Sequence, residues 1–113
     1  MLRVLTPEVL EQETRMHEGS GGVSAENRHC GFRPAFLDRA SGIIHPSCYA
    51  SGEPAPFHLL DGLPDELVLA RNTVGRVTKV VGSVISGFVH KGRFYTREEA
   101  ACLCGALVPA EAA

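Results

Sequence analysis

Three histidines and two cysteines lie between residues 29 and 58, and their imidazole and thiolate groups are common ligands of structural zinc. His29 and Cys30 are adjacent, and His45 stands three residues before Cys48. Structural zinc needs about four such donors that converge tetrahedrally. These four residues are therefore the candidate metal ligands, and zinc is the candidate cofactor.

The expected geometry of a hairpin in this segment argues both for and against the zinc site. If Asp38 opposes Ile43 across the hairpin, the two His-Cys pairs lie at the same end of the ribbon, although a few residues out of register. The chain has no Cys-x-x-Cys pair, however, and neighbouring residues on a strand point to opposite faces. We therefore expect the protein to bind no cofactor, and we keep zinc as the alternative.

The same segment holds the ingredients of nucleophilic catalysis. Cys30 or Cys48 could act as a nucleophile if a histidine such as His58 took its proton, with Asp61 orienting the imidazole. No local signature of a known cysteine enzyme surrounds these residues. We therefore expect a protein that is not an enzyme. The alternative is a small hydrolase, dependent on metal or on cysteine and histidine, built on residues 29–58.

A separate feature is a run of basic residues with no acidic residue among them. Residues 71–97 contain six lysines and arginines, whereas the whole chain has a formal net charge of -2. A surface of one sign attracts a partner of the opposite sign. The six basic residues are Arg71, Arg76, Lys79, Lys91, Arg93 and Arg97.

Part of this run forms the predicted contact patch, because it lies near strand ends and turns. Nucleic acid suits such a patch, since Lys and Arg neutralise phosphates and aromatic rings stack on unpaired bases for about 1–3 kcal/mol each. An acidic protein surface fits the same charges. The alternative is that these are solvated residues of edge strands, which carry Lys and Arg to prevent aggregation. The predicted partner-binding residues are Arg71, Arg76, Lys91, Arg93, Phe94 and Tyr95.

Strand signals place this patch on a β-meander. Residues 66–71 and 76–89 are rich in β-branched side chains and flank a turn at 72–75, and a third strand follows at 93–95. Both faces of the long strand are partly apolar, so we expect it to be central, with possible bulges or bends at Gly82 and Gly87.

An earlier hairpin is predicted from residues 32–38 and 43–49, with a loop at 39–42. Pro34 and Pro46 cannot donate a hydrogen bond to a neighbouring strand, so we expect both of these strands to be edges or irregular.

A helix is predicted at each end of the chain. Thr96 and Glu99 form a capping box, and the apolar stripe that follows is Ala100, Leu103, Cys104 and Leu107. An N-terminal helix from Pro7 to about Glu18 is capped by Thr6, and a Gly-Ser-Gly-Gly sequence follows it.

These elements predict an α+β fold with a small antiparallel sheet of about four or five strands, ending in a C-terminal meander. The sheet packs against the C-terminal helix, and the N-terminal helix is appended to it. Residues 1–27 are expected to form an arm, and residues 28–113 a single compact domain.

Composition limits the class of protein. Apolar residues make up 44% of the chain and charged residues 21%, as in ordinary globular domains. No stretch approaches the roughly 20 apolar residues of a membrane span, and the first residues lack a signal-peptide core. We expect a cytoplasmic, non-enzymatic binding or regulatory module with an acidic partner and no membrane contact. In that compartment the four cysteines are expected as thiols or metal ligands rather than disulfides.

Overall fold

The computed structural model describes residues 4–18, 27 and 30–107, with residues 104–107 described by their backbone alone. It is an α+β fold in which an N-terminal and a C-terminal helix accompany two antiparallel sheets, so the predicted fold class is confirmed. The elements are α1 (Pro7–His17), β1 (Arg33–Asp38), β2 (Ile43–Pro46), a short 3-10 helix (Asp65–Leu67), β3 (Val68–Arg71), β4 (Val77–Val80), β5 (Val84–His90), β6 (Arg93–Tyr95) and α2 (Arg97–Leu107).

The larger sheet has four strands in the order β2-β1-β5-β6. Its first hairpin has the predicted register, with Asp38 opposite Ile43. The Asp38 carboxylate closes the turn, since its two oxygens accept hydrogen bonds from the Ala40 amide (3.1 Å) and the Ser41 hydroxyl (3.0 Å). Gly42 follows with a φ of +76°, a conformation that favours glycine.

The expectation that both strands of this hairpin are edges or irregular is wrong for β1, which lies between β2 and β5. The Pro34 carbonyl accepts a hydrogen bond from the Ser47 amide at 2.9 Å. Because the N–H and C=O groups of one residue point to the same side of an antiparallel strand, the side on which Pro34 lacks a donor faces β2. Pro46 is the last residue of β2, so the proline falls where that pairing already ends.

The smaller sheet pairs β3 with β4, and the long strand expected at 76–89 is divided into β4 and β5. The break contains Gly82, one of the two positions where a bulge or bend was predicted; at the other, Gly87, β5 continues in register with β1. A turn closes there, because the Val84 amide donates to the Val81 carbonyl at 3.2 Å. The meander is therefore two hairpins that belong to different sheets.

The N-terminal segment packs into the body of the fold. Leu5 exchanges two backbone hydrogen bonds with Val80, at 3.0 and 2.8 Å, and Leu10 of α1 is buried. The predicted N-cap of α1 is confirmed, because the Thr6 hydroxyl accepts from the Val9 amide at 3.1 Å. The glycine-rich segment predicted as a linker lies outside the described residues. The main core cluster is Leu5, Leu10, Phe36, Leu60, Leu63, Leu67, Val77, Val80 and Val84.

Helix α2 packs on β5 and β6 through a second apolar cluster formed by Phe32, Phe88 and Ala100. The capping box is confirmed, since the Thr96 amide donates to the Glu99 carboxylate (2.9 Å) and the Glu99 amide donates to the Thr96 hydroxyl (3.1 Å). Ala100 is fully buried as predicted, but Leu103 is exposed. The other two residues of the stripe, Cys104 and Leu107, are among those whose side chains are not described.

Candidate binding surface

The predicted contact patch is divided between the two hairpins. Arg71 and Arg76 flank the turn that joins β3 to β4 in the smaller sheet. Lys91 and Arg93 belong to the turn and strand that follow β5 in the larger sheet. The four cations therefore form two separate pairs.

The arginines of the β3–β4 hairpin are already neutralised by carboxylates of the same chain. Arg71 Nη2 lies 2.7 Å from Asp65 Oδ1, and the Arg76 guanidinium forms an ion pair with Asp61. The Asp61 side chain is largely buried and also accepts a hydrogen bond from the Val77 amide at 3.0 Å. These arginines thus help to hold the hairpin against the loop that precedes it.

The cations of the β5–β6 hairpin differ in this respect. Within the part of the chain that the structure describes, neither Lys91 nor Arg93 forms an ion pair. Arg33 joins them at the same end of the sheet, because it lies opposite Val89 in the β1–β5 register and is likewise exposed and without an ion pair. We call the group Arg33, His90, Lys91 and Arg93 the basic tip.

The backbone at the basic tip is unusual. Lys91 and Gly92 have φ values of +51° and +80°, as a two-residue turn with two left-handed positions requires. In the described part of the chain, Lys91 is the one residue other than glycine with a positive φ. Asn, Asp and Gly favour that position, and an ordinary L-residue there costs about 1–2 kcal/mol. Lysine at the apex of this turn therefore lowers the stability of the fold.

The aromatic residues predicted to bind a partner are engaged within the protein. The Arg93 guanidinium lies over the Tyr95 ring, 5.9 Å from its centroid, and the same ring packs edge-on against Phe32 at 5.6 Å. Phe94 covers Gly87 so closely that a Cβ atom on that glycine would collide with the ring. Both rings are therefore half-buried and already packed against groups of the same protein.

The candidate zinc ligands are placed differently from expectation. Cys30 is disulfide-bonded, contrary to the expectation of four reduced or metal-bound cysteines, and a disulfide sulfur is not a thiolate ligand. Cys48 is a free thiol that donates to the Pro46 carbonyl at 3.3 Å, and His45 lies on β2 opposite Phe36. His29 lies outside the described residues. Among those that are described, no three His, Cys, Asp or Glu side chains converge as metal ligands would.

His58 is held in a polar network beneath the sheet. Its Nε2 donates to the Gly87 carbonyl at 2.6 Å, and its Nδ1 accepts from Arg97 Nη2 at 3.2 Å. Burial, with the positive charge of Arg97 as a second cause, lowers the pKa of His58 to about 3. The ring is therefore neutral at physiological pH, and its lone pair is occupied rather than directed at a cysteine thiol.

The network continues from Arg97 to helix α1. Arg97 is 3% exposed and donates through Nε to the Ser86 hydroxyl at 3.3 Å. Ser86 donates in turn to Glu13 Oε1 at 2.6 Å, and the Glu13 carboxylate lies 3.8 Å from Arg97 Nε. Burial lowers the pKa of Arg97, and the charge of Glu13 opposes that shift. These groups therefore link α1, β5 and α2. A cavity of about 380 Å³ borders them.

A second and larger cavity of about 580 Å³ lies between the start of β1, the segment 46–56 and the end of β5. Its apolar walls include Phe32, Pro34, Pro46, Pro54, Ala55 and Val89, and we call it the proline groove. Arg33 and Cys48 also line it.

The signal that sequence reasoning missed is Arg33. Its contribution depends on the pairing of β1 with β5, and no local pattern indicates which distant strand a given strand will join.

Comparison with known proteins adds no constraint, because no family model, curated protein or solved structure matches this chain. In the described residues, neither helix is long and apolar enough to cross a bilayer.

Proposed function

We propose that the protein is a non-enzymatic binding module that contacts an acidic partner through the basic tip. The single observation that carries this proposal is that Arg33, Lys91 and Arg93 lie at one end of the larger sheet with no carboxylate partner among the described residues. By contrast, the arginines of the other hairpin are paired with Asp61 and Asp65.

Unpaired cations at one end of a chain with net charge -2 form a local field that opposes the sign of the whole molecule. Such a field attracts carboxylates or phosphates and orients the molecule during encounter. Screening limits this effect to about 10 Å at 0.1 M salt, so binding should weaken as salt is added.

The aromatic residues favour a protein partner over nucleic acid. Base stacking requires an exposed ring face, whereas Tyr95 and Phe94 are half-buried and already pack within the protein, against Arg93 and Gly87 respectively. An acidic peptide segment needs only the charges. The alternative partner is nucleic acid, bound through its phosphates, and the test below distinguishes the two.

The test compares two single charge reversals. Lys91→Glu changes the basic tip, and Lys79→Glu makes the same charge change on β4, where Lys79 is exposed in the other sheet. Affinity for fluorescein-labelled poly-glutamate and for mixed single- and double-stranded oligonucleotides is measured by anisotropy at about 50 mM salt.

We expect Lys91→Glu to weaken the binding of poly-glutamate about tenfold, and Lys79→Glu to change it far less. Equal effects of the two reversals would show that only net charge matters. If neither poly-glutamate nor any oligonucleotide binds, the proposal is wrong. Tighter binding of an oligonucleotide than of poly-glutamate would identify nucleic acid, rather than an acidic protein, as the class of partner.

A further inference from the structure

The proline groove borders the basic tip directly. Arg33 belongs to both, and Val89 lines the groove one residue before His90. Gly31 also lines the groove, and its carbonyl lies 3.1 Å from His90 Nδ1. The two features are therefore adjacent and share the side chain of Arg33.

The groove is built to take an apolar group. Its volume of about 580 Å³ falls in the range of small-ligand sites and exceeds that of one large side chain. Pro34, Pro46, Pro54 and Pro56 stand in its walls and have no backbone N–H to offer. A polar group in the groove would lose its hydrogen bonds to water with few donors to replace them, whereas an aliphatic or aromatic group would lose none.

The charges around the groove favour one orientation of a bound acidic ligand. Arg33 lines the groove and belongs to the basic tip, whereas the exposed Glu53 precedes Pro54, another lining residue. An acidic ligand is attracted by Arg33 and repelled by Glu53. Its carboxylates should therefore lie over the basic tip while its apolar part enters the groove.

We propose that the proline groove and the basic tip together bind an acidic peptide segment of a partner protein that carries one large apolar anchor residue. The anchor side chain enters the groove and occupies part of it, and flanking carboxylates pair with Arg33, Lys91 and Arg93. This inference rests on the proposed function for its charged contacts and adds the apolar contact, which nucleic acid does not provide.

The first measurement uses two peptides of identical acidic sequence, one with a central Leu and the other with Ser in its place. Burial of the Leu side chain should make the first peptide bind the full-length protein about tenfold or more tightly. Raising the salt should weaken both peptides, but the ratio of their affinities should persist because apolar contact is not screened.

The second measurement locates the anchor with a thiol already present in the groove. Cys48 and Cys102 are both free, and only Cys48 lines the groove. Alkylation rates of the two thiols are followed in the same sample by mass mapping of the digested protein. Saturating Leu peptide should slow alkylation of Cys48 severalfold and leave the rate at Cys102 unchanged.

The outcomes separate the two proposals. Equal affinities for the Leu and Ser peptides, both reduced by Lys91→Glu, would overturn the groove inference and retain the basic tip. An unchanged Cys48 rate under saturating peptide would also overturn it. Absence of binding by either peptide, by poly-glutamate and by oligonucleotides would overturn both proposals.

Discussion

Replacing His58 by Gln should change how the stability of the protein depends on pH. His58 donates to the Gly87 carbonyl and accepts from Arg97 Nη2, so both ring nitrogens are engaged in the neutral form. Protonation would remove the acceptor and place a second positive charge against the guanidinium. A glutamine amide offers one donor group and one acceptor and does not titrate.

The size of the effect follows from the difference in pKa between the folded and unfolded chain. The folded value is about 3, and an unfolded histidine has a pKa near 6.5. The unfolded state therefore binds more protons at pH values between these two, and stability falls as the pH falls below about 6.5. At about pH 5, linkage predicts a loss of about 2 kcal/mol relative to about pH 8 from this one side chain.

The assay is urea unfolding, followed by circular dichroism because the chain has no tryptophan, at about pH 8 and about pH 5. His58→Gln is expected to destabilise the protein at the higher pH, but the deficit should shrink by about 2 kcal/mol at the lower pH. His45→Gln on the edge strand β2 is the matched control and should retain the loss of about 2 kcal/mol that His58 contributes, because it leaves His58 in place. A deficit for His58→Gln that is the same at both pH values would refute the argument.

Three further substitutions test the geometry of the sheet. Lys91→Asn should raise the thermal midpoint and add about 0.5–1 kcal/mol of stability, because asparagine tolerates the left-handed conformation better than lysine. Gly87→Ala should cost about 2–3 kcal/mol in urea unfolding, since its Cβ would overlap the Phe94 ring; a neutral result would mean that β6 can shift aside. Ser86→Ala should cost about 2 kcal/mol through its hydrogen bond to the Glu13 carboxylate, and a double-mutant cycle with Glu13→Gln should show coupling rather than additivity.

The parts of the fold that could be predicted are those encoded by short stretches of chain. The Thr96–Glu99 capping box and the Thr6 N-cap involve residues within three positions of one another, and both are formed. The register of the first hairpin follows equally from its loop, with Asp38 opposite Ile43. Each of these depends on hydrogen bonds that the local sequence alone can specify.

The parts that could not be predicted depend on which distant segments meet. Strand β1 pairs with β5, and Leu5 pairs with Val80, but neither pairing has a local signature. The position of Pro34 in a central strand is possible only because its missing donor faces the end of β2. The division at Gly82 was visible as a possible bend, yet the sequence could not show that the two halves would join different sheets.

The candidate site shows the same limit. The basic residues of the contact patch can be read from the sequence, but the carboxylates that neutralise two of them cannot. Asp65 and Asp61 stand 6 and 15 positions before their arginines, and loop folding alone brings them into contact. Arg33 joins the patch for the corresponding reason, through the pairing of β1 with β5.

The basic residues of this protein divide into those that have a structural role within the chain and those that do not. Arg97 has a structural role in the buried network, and Arg71 and Arg76 have structural roles beside Asp65 and Asp61. Lys91 has no comparable role, since its charge is unpaired among the described residues and its backbone would be more stable with Asn or Gly. A lysine that costs stability at this position and has no ion pair among the described residues is consistent with the proposed contact outside the chain. If Lys91→Asn stabilises the fold and weakens the binding of the Leu peptide, the two effects together would assign that role to Lys91.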